Sequence, residues 1–171
     1  SRTDFFPPVY AKWVRMTVQR TGNSGAPPAL EEFEVWSVDD AGHRRNVASA
    51  ATGAVARSTG ARESLGGSDD HLNDGLIGLE VPHWYSEIWG WKAEPWVEVE
   101  FPQPELIDSV TWHLTPIGRS PDNLPMYWRV ASSWKIEIAT EPGVWQEVVP
   151  IDRDAEQDPE ALKQRQQAEE D

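Results

Sequence analysis

Along most of the chain, hydrophobic and polar residues alternate with the period of a β-strand. In "KWVRMTVQR" (12–20), Val14, Met16 and Val18 fall on one face. In "LEEFEVWSV" (30–38), Phe33 and Val35 share a face and Trp36 lies on the other. "WVEVEF" (96–101) sets Val97, Val99 and Phe101 against Glu98 and Glu100. "LIDSVTWHL" (106–114) gathers Leu106, Val110, Trp112 and Leu114 on one side, with Thr111 and His113 opposite. "SWKIEIAT" (133–140) buries Trp134, Ile136 and Ile138, and "VWQEVV" (144–149) makes a last strand. Proline- and glycine-rich turns such as "TGNSGAPP", "DDAGHR", "SLGGSDD", "PQPE", "SPDNLP" and "EPG" separate these runs. Short strands with such punctuation predict an all-β fold, an antiparallel β-sandwich of the jelly-roll kind.

The pattern ends near residue 151. "DRDAEQDPEALKQRQQAEED" (152–171) is charged and free of aromatic residues. Pro159 could open a helix capped by Asp158, but Ala161, Leu162 and Ala168 do not form a core-facing stripe. The expected organisation is one sandwich over 1–151 and an acidic tail or linker, in part helical, over 152–171.

Composition narrows the function classes. A net charge of −14 disfavours a nucleic-acid backbone as partner, and no apolar run is long enough to span a bilayer. No signal-peptide pattern opens at Ser1. Cysteine is absent, which removes disulfides and thiolate metal sites. His43, His71, His83 and His113 are scattered without zinc-ligand spacing. The chain offers no nucleophile elbow, phosphate loop or dinucleotide fingerprint, and the adjacent carboxylates of "GGSDDH" cannot face each other across a substrate. A noncatalytic module is expected.

Ten tryptophans against three tyrosines is the compositional anomaly. Trp13, Trp36, Trp112, Trp134 and Trp145 lie on strands and read as core or rim. Trp84, Tyr85, Trp89 and Trp91 sit in the stretch "EVPHWYSEIWGWKAEP" (80–95), bracketed by Pro82 and Pro95. They either fold into a satellite cluster or present flat rings that stack on sugars. His83, Glu87, His113, Arg119, Asp122 and Arg129 could orient such a ligand through its hydroxyls, and Tyr127 and Trp128 could form an opposing wall.

Three consecutive segments, "WVEVEF", "LIDSVTWHL" and "SWKIEIATEPGVWQEV", resemble in order three strands of discoidin-like domains, also called coagulation-factor type C domains. "NVASAATGAVARSTG" (46–60) is similar to that family's opening strand and "HLNDGLIG" (71–78) to its Asp-Gly loop. "AKWVRMTVQRTGNSGAPPALEEFEVWSV" (11–38) resembles the family's closing strands but comes first, so the order looks circularly permuted. The resemblance covers about residues 9–150 and implies that Trp96, which matches the family's structural tryptophan, is a core residue. It implies a galactose-binding-like sandwich of the kind attached to large exported bacterial proteins, hence a secreted, periplasmic or surface location. It also implies a structural calcium held by the carboxylates of Asp74 and Glu32 and the carbonyls of His71, Leu76 and Glu31; mixed carboxylate and carbonyl oxygens suit that ion. Where the family's loop supplies a threonine, this chain has Leu79. Read from the residues alone, Asp74 caps an Asx turn and Glu32 is a solvated strand residue. The expected function is a calcium-stabilised carbohydrate-binding module whose ligand site draws on Trp84, Tyr85, Trp89, Trp91, His113, Arg119, Tyr127 and Trp128, with polysaccharide or oligosaccharide and the other domains of a larger chain as partners. The alternative is a protein-interaction or adhesion module with an exposed aromatic patch.

Overall fold

The computed structural model describes residues 1–23, 26–78, 80–89 and 93–151. The tail expected at 152–171 lies outside the described residues, as does Trp91. Among those described, the alternating runs form strands β1 (Arg2–Thr21), β2 (Ala29–Leu30), β3 (Glu32–Val38), β4 (Arg44–Asn46), β5 (Val55–Ser58), β6 (Trp84–Tyr85), β7 (Trp96–His113), β8 (Ala131–Ala139) and β9 (Gln146–Val149). Every pairing between them is antiparallel.

The architecture rests on the long strands β1 and β7, which pair along most of their length. Their ladder shifts register between Phe5 and Val9 and again between Ala11 and Trp13. Pro7 and Pro8 sit in this interrupted part of β1, and Pro102 and Pro104 at the middle of β7. Proline donates no N–H to a ladder, and bulges bend the strand that carries them. The other strands then divide between the two halves. β3 pairs with the Ile107–His113 end of β7 and carries β4 at its outer edge. β5 pairs with Val97–Glu100. β8 pairs with the Trp13–Thr21 half of β1, and β9 lies beyond it. The result is an all-β sandwich in which two strands belong to both layers. Trp112 from one layer meets Trp134 from the other edge-to-face, ring centroids 5.3 Å apart, and the Trp134 indole N–H donates to Asp4 Oδ2 at 2.7 Å. Val14, Met16, Phe33, Val35, Val97, Val99, Phe101, Val110, Ile136 and Ile138 fill the space between, as their alternation predicts.

Three details depart from the sequence reading. The Arg2–Ala11 half of β1 was not expected, because "FFPP" breaks the alternation. Ile107, not Leu106, is fully buried. β3 skips a residue opposite Asp108, pairing Trp36 with Ser109 and Ser37 with Ile107. That shift turns Ile107 inward and leaves Asp108 outside, where Arg44 meets it at 3.1 Å. Trp96 faces outward, opposite Thr17. The Arg15 guanidinium lies 3.9 Å from its ring centroid and 4.2 Å from that of Trp145, and donates to Glu98. An indole in that position packs against a cation rather than the core.

Candidate functional site

The aromatic stretch enters the molecule through β6. Tyr85 pairs with Ala29 and Trp84 with Leu30, while Ser86 donates its N–H to the Pro28 carbonyl. This places Trp84 in the core, fully buried, its indole N–H donating to Ser58 Oγ at 3.1 Å. The expectation that Trp84 stacks on a ligand is therefore corrected: a strand pairing drives it inward and leaves no open face. Tyr85 is 6% exposed, with the His83 ring nearly parallel at 5.7 Å and the Arg129 guanidinium 5.5 Å from its centroid. Its ring is structural too, and burial raises its hydroxyl pKa. Trp89 is half-buried against the core. Tyr127 and Trp128 form an edge-on pair, centroids 6.4 Å apart, and Tyr127 is 41% exposed.

Beside Tyr85 lies a cleft of about 460 Å³, lined by apolar Leu65, Val81, Ile117 and Met126 and by polar Glu80, His83, Thr115 and Arg119. Tyr85 and Arg119 are the expected ligand residues that this cleft unites. His113 lies next to it, in the wall of a smaller depression of about 260 Å³, where its Nε2 is 2.7 Å from Glu34 Oε1. Tyr127 and Trp128 do not line the cleft, although their neighbour Met126 does. Glu80, Thr115, Leu65 and Ile117 escaped the sequence reading. Thr115 and Ile117 occupy a segment, "LTPIGRSP", whose composition signals only turns.

One wall of the cleft is held by a buried cation. Arg129 is fully buried; its Nε donates to Ser120 Oγ at 3.1 Å, Nη1 to the Pro27 carbonyl at 3.0 Å, and Nη2 to Asp122 Oδ2 at 2.5 Å. Ser120 also donates its hydroxyl to Asp122. Burial alone would raise the Asp122 carboxyl, but the Ser120 hydroxyl and Arg129 hold it below its ordinary range. The loop closed by these bonds carries Arg119, whose Nη1 donates to the Asn123 carbonyl at 2.8 Å.

The Asp-Gly loop is held separately. Asn73, 4% exposed, donates its amide to the carbonyls of Ala48 and Ala54, both at 3.1 Å, and so anchors the loop to the body. Asp74 Oδ1 accepts the Leu76 N–H at 3.0 Å, the Asx turn expected from the residues alone. Gly75 has φ +81°, a conformation that suits glycine, and its N–H donates to Glu32 Oε2 at 2.8 Å. Glu32 is not the solvated strand residue that its sequence neighbourhood suggests. It is 1% exposed, and its second carboxylate oxygen, Oε1, is buried without a hydrogen-bond partner. Burial pushes the Glu32 carboxyl up to about 8; the Gly75 N–H opposes this, and the neighbouring Asp74 adds to it. A buried, unsatisfied carboxylate oxygen beside a second carboxylate fits a divalent cation. Among the described residues no three His, Cys, Asp or Glu side chains cluster as a metal site, so the remaining oxygens would be the carbonyls of His71, Leu76 and Glu31 and water. Glu31, also 1% exposed, points its side chain elsewhere: Oε1 accepts from Thr115 Oγ1 at 2.8 Å and from the Gly78 N–H at 3.1 Å.

The described histidines take separate roles. His43 meets Asp39 on the surface, and His71 Nδ1 lies 2.9 Å from the His83 carbonyl. No described helix is long and apolar enough to cross a membrane. Comparison with protein-family models, with curated proteins and with solved structures gave no match.

Proposed function

We propose that this protein is a noncatalytic carbohydrate-binding module that holds its ligand in the cleft between Glu80, Thr115 and Arg119 and is stabilised by calcium at Asp74 and Glu32. The observation that carries the reading is the cleft itself. Its volume of about 460 Å³ falls in the range of small-molecule sites, and it combines apolar walls with a few convergent polar groups. Those groups suit hydroxyl recognition: a guanidinium donates and a carboxylate accepts. The stacking partner is not Trp84 or Tyr85; Ile117, Leu65 and Val81 offer apolar walls instead.

The calcium part rests on the unpartnered Glu32 oxygen beside Asp74. When bound, the ion would supply the positive charge that this buried carboxylate lacks, and Gly75 and Asn73 would keep the loop in place around it. The resemblance to discoidin-like domains, with the strand order permuted, agrees with the two-layer sandwich. It extends the proposal to an accessory module of a larger exported protein.

The test is a glycan array on the calcium-loaded protein, followed by titration of any hit against Arg119→Ala. Arg119 is exposed, so the melting temperature should hold while affinity drops about tenfold, equivalent to about 1.4 kcal/mol. Undiminished affinity in Arg119→Ala would place the ligand elsewhere, and a glycan array without a hit would remove the reading.

A further inference from the structure

The cleft does not end at Thr115. The same threonine lines the adjoining depression of about 260 Å³, whose other walls include Ile77, His113 and Pro116. The partition between the two is held from beneath. Thr115 Oγ1 lies 2.8 and 3.1 Å from the two oxygens of the Glu31 carboxylate. The same carboxylate accepts the Gly78 N–H at 3.1 Å and stands 4.0 Å from His83 Nε2. With its hydroxyl committed and the carboxylate beneath it buried, Thr115 forms a low fixed ridge between two hollows rather than the closed end of one.

We propose that the ligand is a neutral polysaccharide chain, bound across this ridge in at least two subsites: one at Arg119 and Glu80, the other at Ile77 and His113. The inference rests on the carbohydrate reading above and names the ligand class. Two adjoining depressions on one surface are redundant for a single terminal sugar, whereas a chain places successive rings in both. Charge selects against acidic chains. Among the described lining residues of both hollows, Arg119 is the only arginine or lysine. Glu80 lines one hollow and Glu31 the other, on a chain of net charge −14. Ile77, 49% exposed, supplies an apolar wall of the second hollow without a structural duty that its exposure would reveal.

The experiment is calorimetric titration of the full chain, in calcium, with xylo-, cello- and galacto-oligosaccharides from monomer to hexamer. An acidic series of galacturonate oligomers is run alongside. For one of the neutral series, affinity should rise at least about tenfold from monomer to dimer and then level, while the acidic series binds more weakly. Ile77→Ala should remove most of that gain, leave the monomer's affinity unchanged and keep the melting temperature. Equal affinity at every length, an Ile77→Ala loss that is uniform across lengths, or preference for the acidic series would each overturn the inference while leaving the carbohydrate reading in place. No binding by any series would overturn both.

Discussion

Arg129 and Glu32 are both charged residue types withdrawn almost wholly from solvent, yet their surroundings differ in kind. Arg129 spends its donors on a hydroxyl, a backbone carbonyl and a carboxylate, and stands near the Tyr85 ring. Glu32 has one N–H from Gly75, an oxygen with no partner and a second carboxylate for a neighbour. Burying a charge is costly unless it is paired and hydrogen-bonded. The arginine therefore reads as a completed brace. The glutamate lacks a counter-charge, which the proposed calcium would supply.

The largest effect should come from breaking the brace. Arg129→Met removes the buried cation from Asp122, which keeps only the exposed Arg62 at 3.7 Å, and opens the Ser120 loop. Removing one partner of a buried ion pair costs about 3–5 kcal/mol, and chemical denaturation should show a loss of that order, with or without calcium. A loss below about 1 kcal/mol would mean that the loop holds itself together and that the contrast with Glu32 is overdrawn.

Next in size is the response at Glu32. A ligand that binds only the folded state stabilises it by about 2.7 kcal/mol at a hundredfold excess over Kd. Calcium should raise the melting temperature of the wild type accordingly, and Glu32→Gln should abolish the rise. The metal-free protein should also carry a pH signature. The folded-state carboxyl titrates near 8 rather than the ordinary 4.5, so between those values the folded state binds more protons than the unfolded one, and stability falls as pH rises. Below about 4.5 that penalty vanishes. Glu32→Gln should flatten the slope, and calcium should reverse it near pH 8. A metal-free stability that is level between these pH values in the wild type would show that Glu32 ionises without strain, and the comparison would lose its second half.

The smallest effect falls on an exposed aromatic residue, set against a buried one. Tyr127→Ala, at a side chain 41% exposed, should change stability by no more than about 0.5 kcal/mol. Trp84→Ala should cost about 3–5 kcal/mol, as for other buried indoles. Thermal melts of the two variants measure the difference, and equal losses would contradict the placement of β6.

These contrasts also show what the sequence could and could not reveal. Alternation marked the inner faces of β1, β3, β7 and β8 because Val14, Met16, Phe33, Val97 and Ile136 each have polar neighbours that must face the other way. It failed where a bulge changes the parity, as at Ile107, and where prolines break it, as in the first half of β1. The family resemblance implies a core Trp96, because a matched position does not record that Arg15 packs on that ring. Of the candidate site, Asp74 and Glu32 were legible through the family resemblance. That Glu32 is buried with an unpartnered oxygen was not, since the covering loop is distant in sequence. The cleft was the least legible part. Thr115, Glu80 and Leu65 come from separate turns, and only tertiary packing brings them together.

The shared strands β1 and β7 set the kinetics of the molecule. Arg2 pairs with Trp112 at one end of their ladder and Thr17 with Trp96 at the other, so residues far apart in the chain must find each other before either layer is complete. Such nonlocal pairing makes for slow folding. It also removes any seam along which one layer could peel from its neighbour, because a rupture in either sheet runs directly into strands that hold the other. Native-state hydrogen exchange should therefore find the ladder amides of both layers opening in a single cooperative event.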